Sequence, residues 1–437
     1  MQRNCLNLRS EPAVMLQTFN VSTPAAKRLA KLVAVSLLIG FLSALLALAL
    51  KHVTEHYEKV LFAQSQTHQV WLLFFPAVGL SVIYLMRHYL FNRKANKGIR
   101  EIFDSLRTGK KMPVYKIPSH FVNGFLTVIF GGSTGIEVST VVASATIGSV
   151  ARQKESLFRL YKTELISAGV AAGVAALFTS PAAGFLFAFE VIARKPSRLF
   201  YLCTILAVSV AFGLTWLLAE PPLFALELHG WHWHAAPWML VLGLLAGLHS
   251  VYLTRCVMFF KTLFAQMSSV AYRIMIGSVL LGLTLLLLPE LYGDGYHAVA
   301  ALLFPQTTPV WTPALALVTL AILLLKPVVT SVTLAAGGDG GVFAPSLFLG
   351  AFLGFFTATL LNTFTGAQVV TLNFVVIGMA AMLSASIHAP FTALFLVCGL
   401  IGDYSLLAPI MVVCLVSQYV AKRIYPFTVY TVPQTLK

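Results

Sequence analysis

One carboxylate stands where carboxylates are rare. Glu137 follows the small-residue run Gly131-Gly132-Ser133-Thr134-Gly135, which interrupts an otherwise apolar region. An ionisable acid inside a membrane is costly and is functional by default. At the N-terminus of a helix that begins within the membrane, its carboxylate could occupy an anion site and be held there by free N–H groups. Protonated, it loses that attraction and swings away, so that a mobile anion can enter. The structural alternative is a first-turn glutamate satisfying backbone donors.

A second glycine-rich break, Gly337-Gly338-Asp339-Gly340-Gly341, lies about 200 residues further on and also precedes an apolar helix. Pro181-Ala182-Ala183-Gly184 and Ala389-Pro390 cut two more apolar runs. Breaking a helix in lipid leaves backbone groups unpaired, so it occurs where they line a cavity or meet a substrate. Matched breaks are the pattern of two inverted repeats whose broken helices meet at a midplane site, and helix N-termini there suit an anion. These residues read as a transporter or channel for a small anion; the alternative is that small residues merely let helices approach closely. His229, His232 and His234 could chelate a metal, but no carboxylate or thiol completes a set, and Trp and His also enrich membrane interfaces. Neither metal nor cofactor is expected. No Ser–His or paired-Asp constellation falls within the spans, which argues against an enzyme.

The elements positioning these residues must be membrane helices. Of 437 residues, 58% are hydrophobic and 10% charged, and mean hydropathy is +0.84. That excludes a soluble enzyme, a disordered protein and a fibrous repeat. Long unbroken apolar runs exclude a barrel. Apolar stretches recur at 32–50, 69–90, 118–131, 164–193, 199–219, 236–258, 273–289, 311–335, 342–361, 369–400 and 405–420. The net charge of +15 comes largely from short basic segments between these runs, notably Arg93, Lys94, Lys97, Arg100, Arg107, Lys110, Lys111 and Lys116. Such placement is what orientation signals produce, so nucleic acid is not an expected partner. The five cysteines are scattered and form no disulfide framework. With no signal peptide and a basic flank before the first span, the N-terminus is expected in the cytoplasm.

The sequence resembles the CLC family of chloride channels and chloride/proton antiporters. Gly341-Val342-Phe343-Ala344-Pro345 matches the family's G-x-F-x-P motif, and Gly135-Ile136-Glu137-Val138-Ser139 is similar to its G-x-E-G-P motif. The stretches at 171–176, 181–184 and 385–390 follow in family order. With no CBS region after residue 437, the chain looks like the short, prokaryotic-type form. The resemblance implies an all-α polytopic membrane protein with two inverted repeats and a midplane anion site. The expected division is an N-terminal segment 1–31, a first repeat 32–218, a connector 219–237, a second repeat 238–424 and a C-terminal segment 425–437. It further implies a homodimer in a prokaryotic inner membrane, with one pathway per subunit for chloride and protons.

By that resemblance the anion-binding residues are Gly135, Ile136, Val342, Phe343, Tyr430, Lys97, Gly98 and Ile99, with Glu137 as gate and proton carrier. Tyr425 is a competitor for the role of Tyr430. The family's first motif, G-S-G-I-P, is here Asn96-Lys97-Gly98-Ile99-Arg100. The Lys97 ammonium could line the inner end of the pathway or extend to the cytoplasm. Val138 and Ser139 replace Gly and Pro after the gate, and a β-branched residue restricts the backbone there. Val191 stands where antiporters often carry an internal glutamate. Its neighbour Glu190 would either make a buried hydrogen bond or serve a proton pathway. Asp403 reads as a helix cap, and Gly293-Asp294-Gly295-Tyr296 as a turn. Chloride/proton exchange is the leading expectation and a passive chloride channel the runner-up; a fluoride- or nitrate-preferring relative is the third reading.

Overall fold

The computed structural model describes residues 24–91, 96–154, 160–193, 195–228, 230–305 and 311–432. The expected features at residues 1–23, Arg93, Lys94, His229 and 433–437 lie outside these. Sixteen α-helices run through the described residues: α1 Pro24–Thr67, α2 Val70–Tyr89, α3 Arg100–Thr108, α4 Lys116–Ile129, α5 Glu137–Lys154, α6 Lys162–Leu177, α7 Pro181–Phe187, α8 Arg198–Leu217, α9 Ala236–Ala265, α10 Val270–Leu287, α11 Tyr296–Leu303, α12 Pro313–Ala336, α13 Phe343–Phe364, α14 Thr371–Ile387, α15 Pro390–Ile401 and α16 Leu407–Ile424. Eight are long and apolar enough to cross a membrane. The chain is an all-α, multi-pass membrane protein.

Two of the apolar runs split at proline, as their sequences suggest. Ser180 and Ala389 are extended, because the residue before proline is pushed out of the helical region. Just upstream, Thr179 and His388 adopt positive φ, so α6 turns into α7 and α14 into α15 by the same kink. The breaks at 131–136 and 337–342 also answer one another. Gly135 and Gly341 form an antiparallel bridge. The bridge joins the loop that opens α5 to the loop that opens α13.

Burial follows from where each helix sits. On α13 and α14 residues are buried nearly all round, as expected for central helices. They cross with backbones touching: a methyl at Gly378 would sit 2.2 Å from the Gly350 carbonyl oxygen. The outer helices expose one apolar stripe each; on α10 it is Met275, Val279, Leu283 and Leu286. Such a stripe suits lipid.

The first apolar run proves to be only the middle of its helix. α1 is 44 residues long, about 66 Å at the helical rise, and continues through polar Lys51–Thr67. That extension buries Lys51 against Glu220 at 3.4 Å, tying α1 to the irregular segment between α8 and α9. Asp403 does not cap a helix. It accepts from Leu228 N–H at 2.8 Å and Ser405 N–H at 2.7 Å, tying the same segment to the turn before α16. Partial burial opposes its ionisation, but these N–H donors outweigh that and hold the carboxyl below the usual carboxylate range.

Candidate functional site

Three helix entries converge inside the molecule: 96–99 before α3, 131–136 before α5, and 337–342 before α13. Each exposes backbone N–H groups that lack an intrahelical acceptor. Side chains stitch the last two together. Ser133 N–H donates to Thr333 Oγ1 at 3.1 Å, Thr134 Oγ1 to the Asp339 carbonyl at 3.2 Å, and Asp339 N–H to Thr127 Oγ1 at 2.9 Å.

Glu137 opens α5 and is 2% exposed. Its carboxylate folds back over Gly135, so close that a Cβ there would meet Oε2. Oε1 accepts a hydrogen bond from Tyr296 Oη at 2.7 Å, and the Ala344 N–H at the start of α13 lies beside the group. Oε2 has no hydrogen-bond partner among the described residues. The carboxylate therefore lies at the α13 N-terminus, beside an N–H group of the kind that holds anions.

Behind it, Val342 N–H points at Tyr430 Oη, 3.3 Å away. The Phe343 ring packs against those of Tyr430 and Phe187, at 6.4 and 5.5 Å between centroids. Tyr425 lies elsewhere, at the end of α16, with its ring under Arg255 and against Phe427. Gly98 and Gly341 both face the buried Val138 side chain: a Cβ at Gly98 would lie 3.3 Å from Val138 Cγ1, and one at Gly341 would clash with Cγ2. The isopropyl group thus fills the point where the three entries meet, beside Tyr430.

The structure brings Glu137, Gly135, Ile136, Val342, Phe343, Tyr430 and Gly98 to one place, with Ile99 buried next to them. Lys97 is exposed; its backbone N–H donates to Glu101 Oε1 at 2.6 Å, and among the described residues its ammonium has no hydrogen bond. Its ammonium is therefore not among the groups that converge. Glu190 is spent on α15, where it accepts from Phe391 N–H at 3.3 Å, Thr392 N–H at 2.7 Å and Thr392 Oγ1 at 2.6 Å. Val191, beside it, is half-buried against the core. His232 and His234 stack ring on ring at 5.6 Å, away from these loops.

Three contributors were not visible in the sequence. Tyr296 reaches Glu137 from α11, across a loop that reads only as a turn. Arg100, the residue replacing the family proline, donates to the Val432 and Val429 carbonyls at 2.9 and 3.4 Å, on either side of Tyr430. The third is a polar knot around Asp339. His120 Nδ1 lies 3.1 Å and Arg87 Nη2 4.0 Å from its carboxylate, and Asn96 donates to it. Arg87 Nη1 also donates to the Gly337 carbonyl at 2.6 Å, and Lys116 bridges Asn96 to Glu101. The knot ties the entry before α3 to the entry before α13.

This geometry has counterparts. Residues 78–422 match the family described as voltage gated chloride channel. The chain is 24% identical over 413 residues to the voltage-gated ClC-type chloride channel ClcB of Salmonella dublin, covering 91% of this chain and 97% of that one. The crystal structure of a CLC-type fluoride/proton antiporter superposes with a TM-score of 0.78 at 25% identity, covering 94% of this chain and 98% of the other. A slow cyanobacterial Cl-/H+ antiporter shares the fold, with a TM-score of 0.79 at 20% identity over 92% and 96% of the two chains. With the family match spanning most of its length, the chain belongs to the voltage gated chloride channel (CLC) family.

Proposed function

We propose that this protein exchanges chloride for protons across a membrane, with Glu137 as gate and proton carrier. One observation carries the reading: the Glu137 carboxylate is buried beside the N–H groups that open α13, donors that suit an anion. Ionised, it competes with chloride for the backbone N–H groups of α13. Protonated, it gives up that advantage, and the anion takes its place while the proton travels with the side chain. Val342 and Phe343 N–H groups and the Tyr430 hydroxyl supply donors for the inner anion, together with the backbone at 98–99 and 135–136. Lys97 then acts from the rim, attracting anions as part of the basic segment. The supporting kinship is with two antiporters of solved structure.

The passive channel has its own support. Glu190 is engaged by three donors and Val191 carries no proton, so no second acid stands ready at that position. Fluoride is the alternative cargo, by likeness to the fluoride/proton antiporter. We place the two repeats at 32–218 and 238–424, joined by 219–237, with 425–437 completing the site after a cytoplasmic 1–31. We place the protein in a prokaryotic inner membrane as a homodimer; the apolar stripes of the outer helices offer faces for lipid or a second copy.

The test is proton movement in liposomes driven by a chloride gradient, with valinomycin setting the voltage. Protons moving against their own gradient establish exchange. Chloride flux without coupled protons makes the protein a channel and leaves Glu137 a gate only.

A further inference from the structure

The loop that delivers Tyr296 holds three buried ionisable side chains that the transport reading does not use. Glu58 of α1, Asp294 of the loop and Lys326 of α12 are 8%, 7% and 0% exposed. They close on the backbone of residues 291–296. Glu58 Oε1 accepts from Asp294 N–H at 3.3 Å, and Asp294 Oδ1 accepts from Tyr296 N–H at 2.8 Å. Lys326 Nζ donates to the Leu291 and Gly293 carbonyls at 3.3 and 3.4 Å and lies 4.4 Å from the centre of the Phe348 ring on α13. Gly293 and Gly295 have φ of +58° and +86°, conformations that side chains resist. A Cβ on Gly293 would strike Glu58 Oε1, and one on Gly295 would lie 3.1 Å from Lys326 Nζ. The two glycines thus make room for the acid and the amine.

Burying three ionisable groups is expensive, and packing alone would favour apolar residues of the same volume. What the arrangement achieves is the exact seat of one residue. Tyr296 begins α11 with its backbone pinned by Asp294, and its hydroxyl is the only side-chain donor on the Glu137 carboxylate among the described residues. We infer that Glu58, Asp294 and Lys326 form a charged clamp that sets the Tyr296 hydroxyl on Glu137, and so sets how readily the gate leaves its seat. The inference rests on Glu137 being the gate; the members of the clamp are positioning residues. The titratable groups facing Glu137 are Tyr296, Asp294 and Tyr430. Those around the loop are Glu58 and Glu55 from α1, Lys326 from α12, Tyr292 within the loop and His297 next to Tyr296.

The experiment is chloride efflux from liposomes holding the full chain, measured across pH. A hydrogen bond donated to a carboxylate favours its ionised form, and losing the bond lets the group protonate at higher pH. Tyr296→Phe is therefore expected to move half-maximal efflux about one pH unit upward, a tenfold change in proton affinity. Asp294→Ala and Asp294→Asn both remove the carboxylate charge facing Glu137, so they are compared with each other: the midpoint of Asp294→Ala is expected above that of Asp294→Asn, whose side-chain oxygen still accepts from Tyr296 N–H, and equal midpoints overturn the clamp. Lys326→Met in the Tyr296→Phe background should add nothing. An unchanged midpoint in Tyr296→Phe, or a full additional shift from Lys326→Met, overturns the clamp. If Glu137→Gln leaves the pH profile as it was, the gate reading falls and the clamp falls with it. If Glu137→Gln flattens the profile while Tyr296→Phe does nothing, only the clamp fails. A misfolded Lys326→Met does not rescue the idea, because the Asp294 pair decides it alone.

Discussion

At the scale of single residues, Val138 is the side chain whose effect is easiest to isolate. Its isopropyl group fills the meeting point of the entries at Gly98 and Gly341, close to Tyr430. Val138→Gly should widen that point and shift the preference between chloride and bulkier nitrate by about tenfold, the scale set by a methylene or two in a pocket. Flux ratios in matched chloride and nitrate liposomes would show it, and equal ratios in both proteins would remove Val138 from the pathway. Much of the centre was legible in the sequence: Glu137 stood out because an acid in apolar sequence is expensive, and Val342, Phe343 and Tyr430 by family motif. Tyr296 was not, because the turn preceding it says nothing of where a hydroxyl ends up. Nor were Glu58 and Lys326, whose meeting depends on two helices far apart in the chain.

At the scale of elements, the chain's breaks were readable because Gly and Pro disrupt helices for local steric reasons. The length of α1 was not. Hydropathy ends at Leu50, whereas the helix continues to Thr67 because Lys51 and Glu58 find buried partners that only the folded state supplies. Helix crossings have the same non-local origin. α13 and α14 touch backbone to backbone at Gly350 and Gly378, leaving no room for a side chain. Gly378→Val should cost about 1–3 kcal/mol through overpacking. A lowered melting temperature in detergent would register the loss, and an unchanged one would mean that the helices separate freely there.

At the scale of the whole molecule, the site is held together by contacts between distant parts of the chain. Arg100 spans 329 and 332 residues to hold the carbonyls flanking Tyr430. Arg100→Ala should therefore weaken chloride binding about tenfold, equivalent to about 1.4 kcal/mol, without touching the anion itself. Calorimetric titration of the purified protein with chloride would measure it; unaltered affinity would show that the terminal segment keeps its place unaided. The fold class needed only composition, because lipid admits few solutions to backbone hydrogen bonding. The knot around Asp339 needed the structure, since its members come from four separate segments.

The position of Tyr430 has a consequence for how the protein is made. It follows α16, so all sixteen helices of the described residues have been synthesised before this hydroxyl exists in the chain. A growing chain can insert its helices, kink them and bring the glycine breaks together before the Tyr430 hydroxyl is there to meet Val342 N–H. The order of synthesis thus withholds that hydroxyl until all sixteen of these helices are in the chain.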